Sequence, residues 1–251
     1  MHYQNKCHLC GLCVSLADGH IRIVDDKLFI DREACVDLPE IAELCPYEAY
    51  ETVGRYYSPE ELVTKLLRDE VFYRRSGGGI TFSGGEAALY PEYLLEVAEK
   101  LKEHDISLAL DTAGLWEREK IMPLLKYLDL VLFDVKTIDS DLHKRLCGVG
   151  NEKILANLKW LIDKNVRVIG RLVLVPNAND DLTDVKKRFE LLSELKIEQV
   201  DILYYHQLGL GKYYGLGIDY PFGKVKTCSD EYKEKVKELA AGYSPVITYS
   251  E

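Results

Sequence analysis

The cysteines are the residues of this chain whose type and spacing most directly suggest chemistry. Seven occur in the 251 residues, and five of them fall before residue 53. Cys7, Cys10 and Cys13 are separated from one another by two residues each. Thiols at such short spacing are typical of metal ligands in a reducing compartment, where disulfide frameworks do not persist. The sequence therefore predicts a small metal-binding module at residues 1–52.

The spacing of these cysteines matches part of the pattern that bacterial ferredoxins use. That pattern is C-x2-C-x2-C-x3-C-P, present twice, and the fourth cysteine of each run binds the cluster of the other run. One cluster keeps all its ligands in this chain: Cys7, Cys10, Cys13 and Cys45. The second cluster would need four further positions, of which three are apolar here. We therefore expect a single [4Fe–4S] cluster.

Two alternatives remain for this module. Four thiolates also suit zinc, but the unbroken x2-x2 spacing and the Cys45-Pro46 pair favour iron and sulfur. Cys35 is left without a partner and is expected to be a packed thiol, although it could replace Cys45. Residues 21–24 and 27–30 flank Asp25-Asp26, which predicts a β-hairpin between the two runs.

The remaining chain places polar residues at the ends of predicted strands. Gly84, Gly85 and Glu86 follow a short strand, and two glycines let the backbone approach a ligand that any Cβ would block. The other polar positions are Asp111, Asp134, Lys136, His206 and, inside a long apolar strand, Arg171. Each has an ordinary alternative: Asp111 could cap a helix, Lys136 could be solvated, and His206 could be a core histidine. Arg171 must be paired or face a polar interior, because an unpaired buried guanidinium is too costly.

Helices and strands alternate from about residue 57 onward. The run Ser58-Pro59-Glu60-Glu61 predicts a capped helix, and six near-continuous apolar segments predict strands. Such strands, separated by helices, indicate an α/β fold with a parallel sheet covered on both faces. Ligands bind at the carboxyl ends of the strands in these folds, so the polar residues predict one binding site.

Composition narrows the possible partners. A net charge of −10 argues against nucleic acid, which calls for a basic face. No apolar run is long enough to span a bilayer, and there is no signal-peptide h-region. We therefore expect a cytoplasmic protein that binds neither nucleic acid nor membrane.

Several short motifs, taken in order, resemble one known family. They are SGGE at 83–86, DTAG at 111–114, FDVK at 133–136, DLH at 141–143, GV at 148–149, ND at 179–180 and YHQLG at 205–209. Together they resemble the glycyl-radical-enzyme activating proteins of the radical S-adenosylmethionine (radical SAM) class, which include pyruvate formate-lyase activating enzyme, and in particular the members with a ferredoxin-type insertion. The resemblance implies a ferredoxin-like iron–sulfur module at 1–52. It also implies a partial (β/α)6 TIM-like barrel of the radical SAM type at 53–251, with the first strand missing.

The resemblance also implies an activity. An electron from a low-potential donor such as flavodoxin or ferredoxin would reach a cluster, and S-adenosylmethionine would be cleaved to a 5′-deoxyadenosyl radical. That radical would take a hydrogen from a glycine of a partner glycyl radical enzyme. The cofactor carries this chemistry, while the protein binds and orients it and excludes water.

By the same resemblance, residues at the strand ends would hold S-adenosylmethionine. Gly84, Gly85 and Glu86 would bind its methionyl amino end, and Asp134 and Lys136 its amino-acid head group. His206 would contact the ribose and adenine side, and Arg171 would lie deep in the pocket. Asp111, with Thr112 and Asp134, would hold a monovalent cation near the ligand carboxylate.

The family binds its catalytic cluster through C-x3-C-x2-C, upstream of the ferredoxin insert, and this run does not occur in the sequence. The x2-x2 cysteines cannot replace it. The resemblance therefore predicts a chain truncated at its N-terminus, through a late start assignment or a shortened gene, with an exposed sheet edge. Two other hypotheses stay open: a non-catalytic module for electron transfer and docking, and an unrelated barrel hydrolase with a zinc-binding cysteine module.

Overall fold

The computed structural model describes residues 1–243 and 245–250, and these residues form two compact units. The first unit comprises Met1–Tyr56 together with His206–Val225, and the second comprises Tyr57–Tyr205 and Lys226–Glu251. The division expected at residues 52 and 53 did not include the segment 206–225 in the first unit. No helix in the described residues is long and apolar enough to cross a bilayer.

The first unit is built around a β-hairpin. Strands β1 (Ile21–Val24) and β2 (Lys27–Ile30) pair antiparallel, which confirms the predicted hairpin. Asp25 and Asp26 have φ of 48° and 55°, the left-handed backbone that a two-residue hairpin turn requires. The first unit also contains the short helices α1 (Leu12–Leu16) and α2 (Leu38–Glu43) and, in the segment His206–Val225, α10 (Leu210–Leu216).

The second unit contains a sheet of six strands that are all parallel and lie in the order of the sequence. The strands are β3 (Gly79–Phe82), β4 (Ser107–Thr112), β5 (Leu130–Asp134), β6 (Val168–Leu174), β7 (Gln199–Tyr204) and β8 (Val246–Ser250). The predicted α/β class with a parallel sheet is confirmed. The strand order is the one that a partial (β/α)6 barrel has.

Helices separate the strands of this sheet. They are α3 (Pro59–Leu66), α4 (Glu70–Ser76), α5 (Pro91–Lys102), α6 (Arg118–Leu125), α7 (Ser140–Cys147), α8 (Glu152–Asp163), α9 (Leu182–Glu194) and α11 (Asp230–Ala240). The capping box predicted at Ser58 is confirmed, because its side chain accepts from the Glu61 N–H while Glu61 accepts from the Ser58 N–H. The short helices α4, α7 and α10 were not predicted.

The strands of the second unit are fixed by apolar side chains that are buried in its core. In β4 and β5, Leu108, Leu110, Val131 and Phe133 are fully or almost fully buried, and the residues between them are mostly half-buried. This alternation differs from the expectation of a sheet covered by helices on both faces, and it fits a barrel-type sheet, in which helices cover the outer face. The carboxyl ends of the strands therefore share one edge of a rigid sheet.

Candidate functional site

The carboxyl edge of the sheet brings together three of the charged residues singled out in the sequence. Asp134 lies opposite Arg171 in the β5–β6 register, and Asp111 lies opposite Leu132, two residues before Asp134. Side chains two residues apart on a strand share a face, so Asp111, Asp134 and Arg171 project on the same side of the sheet. We call these three residues, with Glu86 and Lys136, the rim.

Arg171 pairs with both neighbouring carboxylates. Its Nη1 lies 2.7 Å from Asp111 Oδ1, and its Nε lies 3.5 Å from Asp134 Oδ1. All three side chains are largely buried, with roughly a fifth of each exposed. The expectation that Arg171 must be paired inside the fold is confirmed. The guanidinium spaces the two carboxylates and fixes their orientation.

Asp134 is the least satisfied group of the rim. Burial raises the pKa of its carboxyl, and the charges of Arg171 and Lys136 lower that pKa again, while Asp111 and Glu86 add repulsion. Its Oδ1 is buried and has no hydrogen bond, because Arg171 is at ion-pair distance without hydrogen-bond geometry. A buried carboxylate oxygen without a donor is a ready acceptor for a cationic ligand group.

Glu86 connects the turn after β3 to the end of β4. Its Oε1 accepts from the Thr112 hydroxyl at 2.9 Å, and its Oε2 accepts from the Ala113 N–H at 2.8 Å. Oε1 also accepts from the Ala88 N–H at 3.2 Å. With most of its acceptor capacity used inside the protein, Glu86 orders the turn more than it offers itself to a ligand.

The two glycines before Glu86 differ in what they permit. Gly84 has φ of 136°, a backbone conformation that side chains rarely adopt. Gly85 has no such φ, and a Cβ added there would meet no protein atom within 4 Å. Both are exposed, so the backbone beside the rim is open to a ligand. The neighbouring Ser83 hydroxyl donates to Asp111 Oδ2 at 3.1 Å.

Lys136 follows β5 in a loop whose backbone is fixed by hydrogen bonds to the Lys136 carbonyl. Its carbonyl accepts from the Asn179 side-chain amide at 2.7 Å and from Arg188 Nη1 at 3.1 Å. Within the part of the chain that the structure describes, its ammonium forms no ion pair, although its charge acts on Asp134. The loop is fixed and the ammonium stays free to bind an anionic group.

Arg188 and Asp184 form a buried pair beneath that loop. Arg188 is fully buried, its Nε lies 2.9 Å from Asp184 Oδ2, and its Nη2 donates to the Asn179 carbonyl at 2.6 Å. Asp184 Oδ1 accepts from the Thr137 hydroxyl at 2.8 Å. Burial lowers the pKa of Arg188, and the Asp184 charge opposes that shift. This pair was not predicted from the sequence, although Arg188 shares a helix face with the buried Val185 and Leu192.

His206 lies in the first compact unit, whereas the other seven predicted ligand-binding residues lie in the second. Its side chain is exposed, and its Nδ1 is 3.4 Å from the Leu208 N–H. The alternative of a core histidine is therefore wrong. Its contact with the ribose and adenine side of a ligand stays a prediction.

The four predicted cluster ligands line one cavity of the first unit. Cys7, Cys10, Cys13 and Cys45 border it together with apolar and aromatic residues, among them Leu28, Ile41, Pro46, Tyr47 and Tyr50. Cys35 lies outside this cavity, in a small core with Ala17, Ile21, Ile30 and Ile41. Burial raises the pKa of the Cys35 thiol, and Asp37 and Asp31 add to the shift. Cys35 is a packed thiol, as expected.

The donor set of this cavity is one that an iron–sulfur cubane uses. Over residues 1–243 and 245–250, no group of three or more histidines, cysteines or carboxylates could hold one metal ion. A cubane is bound with each thiolate on a different iron, so its four sulfurs lie further apart than the ligands of one zinc ion. Four thiols around one apolar-lined cavity are compatible with such a cluster, which stays a prediction.

Tyr50 also borders this cavity. Burial raises the pKa of the Tyr50 hydroxyl most, and the interaction with the Cys13 thiol raises that pKa further. The oxygen nevertheless has less than 1 Å² exposed and no described partner with good hydrogen-bond geometry. Tyr50 was not predicted from the sequence, since nothing local in the sequence marks a tyrosine that the fold places beside the cysteines.

Known proteins resemble this chain over most of its length. The family model described as "Radical SAM superfamily" matches residues 44–192. Choline trimethylamine-lyase activating enzyme of Oleidesulfovibrio alaskensis is 33% identical over 97% of this chain and 81% of its own length. Pyruvate formate-lyase-activating enzyme of Clostridium pasteurianum is 37% identical over 74% of this chain and 78% of its own length.

Solved structures show the same relationship. A domain of pyruvate-formate lyase-activating enzyme from Bacteroides vulgatus matches with a TM-score of 0.58 at 27% identity. The match covers 69% of this chain and 99% of that domain. Streptococcus suis SuiB bound to S-adenosylmethionine matches with a TM-score of 0.60 at 15% identity, over 82% of this chain and 46% of SuiB. At that identity the second match speaks for the fold alone.

Proposed function

We propose that the rim binds S-adenosylmethionine, because the chain belongs to the radical SAM superfamily and, within it, to the glycyl-radical-enzyme activating enzymes. The chain is an activating enzyme that uses S-adenosylmethionine and an iron–sulfur cluster to generate a glycyl radical on a partner enzyme. The observation that carries the proposed site is Asp134 Oδ1, a buried acceptor with no hydrogen bond in the described residues.

The charges of the rim suit this ligand. Glu86, Asp111 and Asp134 are three carboxylates, and Arg171 and Lys136 are two cations, so the rim carries a net charge of −1. S-adenosylmethionine has an ammonium, a carboxylate and a sulfonium, and therefore a net charge of +1. Complementary charge in a partly buried site favours binding and fixes orientation.

Each rim residue, and Gly85 beside the rim, then has a distinct role. Asp134 accepts from the ligand ammonium, Lys136 binds the ligand carboxylate, and Gly85 lets the ligand approach the backbone. Arg171 holds Asp111 and Asp134 in place, and Glu86 orders the turn. When bound, S-adenosylmethionine and a reduced cluster would supply the radical chemistry that removes the glycine hydrogen. The protein contributes binding and orientation.

The first unit would hold one [4Fe–4S] cluster on Cys7, Cys10, Cys13 and Cys45. Its role would be to receive an electron from a low-potential donor such as flavodoxin or ferredoxin. The monovalent cation stays a prediction of the resemblance, because Asp111 and Asp134 are paired with Arg171 in this structure.

The decisive test of the function is the formation of the glycyl radical. A version of the chain extended by a C-x3-C-x2-C segment would be reconstituted and reduced anaerobically. It would then be mixed with S-adenosylmethionine and a purified glycyl radical enzyme. We expect a glycine-centred doublet in the electron paramagnetic resonance spectrum and one 5′-deoxyadenosine per radical. Product without any radical on the protein substrate would contradict the activating function.

The 251-residue chain itself is expected to give a different result. Its seven cysteines include no C-x3-C-x2-C run, so no iron with an open position is provided for the ligand. We expect no 5′-deoxyadenosine above a cluster-free control in the presence of dithionite. Product above that control would show that other residues bind the catalytic cluster. Electron transfer and docking without radical chemistry is therefore the second candidate function for this chain alone.

In the version extended by the C-x3-C-x2-C segment, Gly85→Val is expected to weaken S-adenosylmethionine binding about ten- to a hundred-fold, because the added side chain blocks the approach of the ligand to the backbone. That range corresponds to about 1.5–3 kcal/mol, the free energy of a lost charge-assisted hydrogen bond. The new side chain meets no protein atom and needs no unusual φ, so the thermal midpoint of unfolding should stay unchanged. Isothermal titration calorimetry measures the affinity.

Gly242→Val is the matched control for this variant. Gly242 is exposed after α11, and the nearest atom to an added Cβ is the Leu239 carbonyl oxygen at 3.6 Å, an ordinary contact. Its substitution should leave the affinity at the wild-type value. Wild-type affinity in Gly85→Val would place the ligand elsewhere and would remove the roles given to the rim.

A further inference from the structure

The Tyr50 hydroxyl is the polar group near the cysteine cavity that the proposed function leaves unexplained. Its oxygen has less than 1 Å² exposed, so bulk water does not satisfy it, and it has no described hydrogen-bond partner of good geometry. A buried hydroxyl without a partner costs free energy, so such a group usually marks a missing atom.

The backbone on both sides of Tyr50 is fixed. The Ala49 carbonyl accepts from the Tyr3 N–H at 2.7 Å, and the Glu51 N–H donates to the Met1 carbonyl at 2.9 Å. The Tyr50 ring also packs against the His2 ring, with centroids 5.0 Å apart. The phenol is therefore held at the cavity and is not free to turn toward solvent.

The surroundings of this hydroxyl identify what it would meet. Tyr50 borders the same cavity as Cys7, Cys13 and Cys45, and after burial the interaction with Cys13 contributes most to the raised pKa of its hydroxyl. In a bound cluster these sulfurs are thiolates, which accept hydrogen bonds but cannot donate them. Tyr50 is then the donor and the sulfur the acceptor, an arrangement that satisfies the buried hydroxyl.

We propose that Tyr50 donates a hydrogen bond to the Cys13 sulfur of the bound [4Fe–4S] cluster and thereby raises its reduction potential. The inference rests on the proposed ligand set of Cys7, Cys10, Cys13 and Cys45. On reduction the cluster takes one electron from the external donor, its charge becomes more negative by one unit, and no covalent bond to Tyr50 changes. A donor aimed at the sulfur stabilises the reduced form more than the oxidised form, because hydrogen bonds to cluster sulfurs raise the potential. Tyr50 is a positioning and tuning residue.

The test is a redox titration of the reconstituted 251-residue chain, followed by electron paramagnetic resonance of the reduced cluster. We expect Tyr50→Phe to lower the reduced-to-oxidised ratio at a fixed potential about tenfold, a shift of about 59 mV for one electron. Pulsed measurements in D₂O should also show an exchangeable proton coupled to the wild-type cluster that is absent in Tyr50→Phe.

Tyr47→Phe is the matched control, because Tyr47 borders the same cavity but is 43% exposed, and its ring lies tilted against the His8 ring with centroids 4.3 Å apart. It should leave the potential unchanged. Equal potentials for Tyr50→Phe and wild type, or equal shifts in both variants, would overturn the proposal. If Tyr50→Phe fails to assemble a cluster, the proposal is tested on the wild-type protein alone. The absence of an exchangeable proton coupled to the wild-type cluster would then refute the hydrogen bond. Iron content tests the ligand set separately, so a wrong ligand assignment is distinguished from a wrong role for Tyr50.

Discussion

Cys45→Ala is expected to lose the intact cluster, whereas Cys35→Ala keeps it. Cys45 borders the cavity shared with Cys7, Cys10 and Cys13, so its removal leaves one iron without a protein thiolate. After anaerobic reconstitution and desalting, wild type and Cys35→Ala should hold about four irons per chain, as one cubane requires. Cys45→Ala should fall clearly below that number and lose the charge-transfer absorbance.

The two variants are well matched, because both remove a thiol from the same unit. Cys35 is only 5% exposed and packs in the small apolar core, so Cys35→Ala is expected to cost some stability but no iron. Loss of iron in Cys35→Ala with full iron in Cys45→Ala would exchange their roles. About eight irons in wild type would mean that a second cluster is bound and the ligand set is wrong.

The rim could be predicted from the sequence because it depends on local facts. A parallel sheet aligns the carboxyl ends of its strands, so polar residues at those ends are brought to one edge whatever the connecting helices do. Asp111, Asp134 and Arg171 followed from this rule, and the pairing of Arg171 followed from the cost of an unpaired buried charge. The cluster ligands, which stay a prediction, follow from matching the cysteine spacing to the ferredoxin pattern, and the structure places all four around one cavity.

The supporting contacts could not be predicted in the same way. Arg188 donates to the carbonyl of Lys136, fifty-two residues away along the chain, and Tyr50 meets cysteines from two separate runs. Such contacts depend on how loops pack, and a polar residue on a helix gives little sign of whether it faces solvent. In α9 the sign was present, since Arg188 shares its face with Val185 and Leu192, but a sequence alone does not name the partner.

The place of the segment His206–Val225 in the first unit also could not be predicted from the sequence. This segment lies between two predicted elements of the sheet domain, so it was assigned to that domain from the sequence. In the structure it belongs to the first unit, where the Gly215 carbonyl accepts from Arg32 Nη2 at 2.9 Å and from the His2 N–H at 2.8 Å. Contacts between distant parts of a chain, not local periodicity, decide which unit a connecting segment joins.

Arg188→Ala is expected to lower the free energy of unfolding by about 3–5 kcal/mol, the usual cost of removing one partner of a buried ion pair. The side chain is fully buried, and its loss leaves the Asp184 carboxylate without its cation. It also leaves the Lys136 and Asn179 carbonyls without the Arg188 donors. Urea unfolding followed by circular dichroism measures the change, with the slope of the transition expected to be unaltered.

Lys186→Ala gives the matched comparison, because Lys186 and Glu190 form an ion pair of the same i, i+4 spacing on the same helix. That pair is 3.7 Å long with side chains 57% and 45% exposed, so its removal should cost about 0–1 kcal/mol. Arg188→Lys should fall between the two, since a lysine keeps the charge beside Asp184 but lacks the planar fork that reaches two carbonyls at once. If Arg188→Ala costs no more than Lys186→Ala, the buried pair does not support the loop. Lys136 must then be positioned for ligand binding by the Asn179 amide alone.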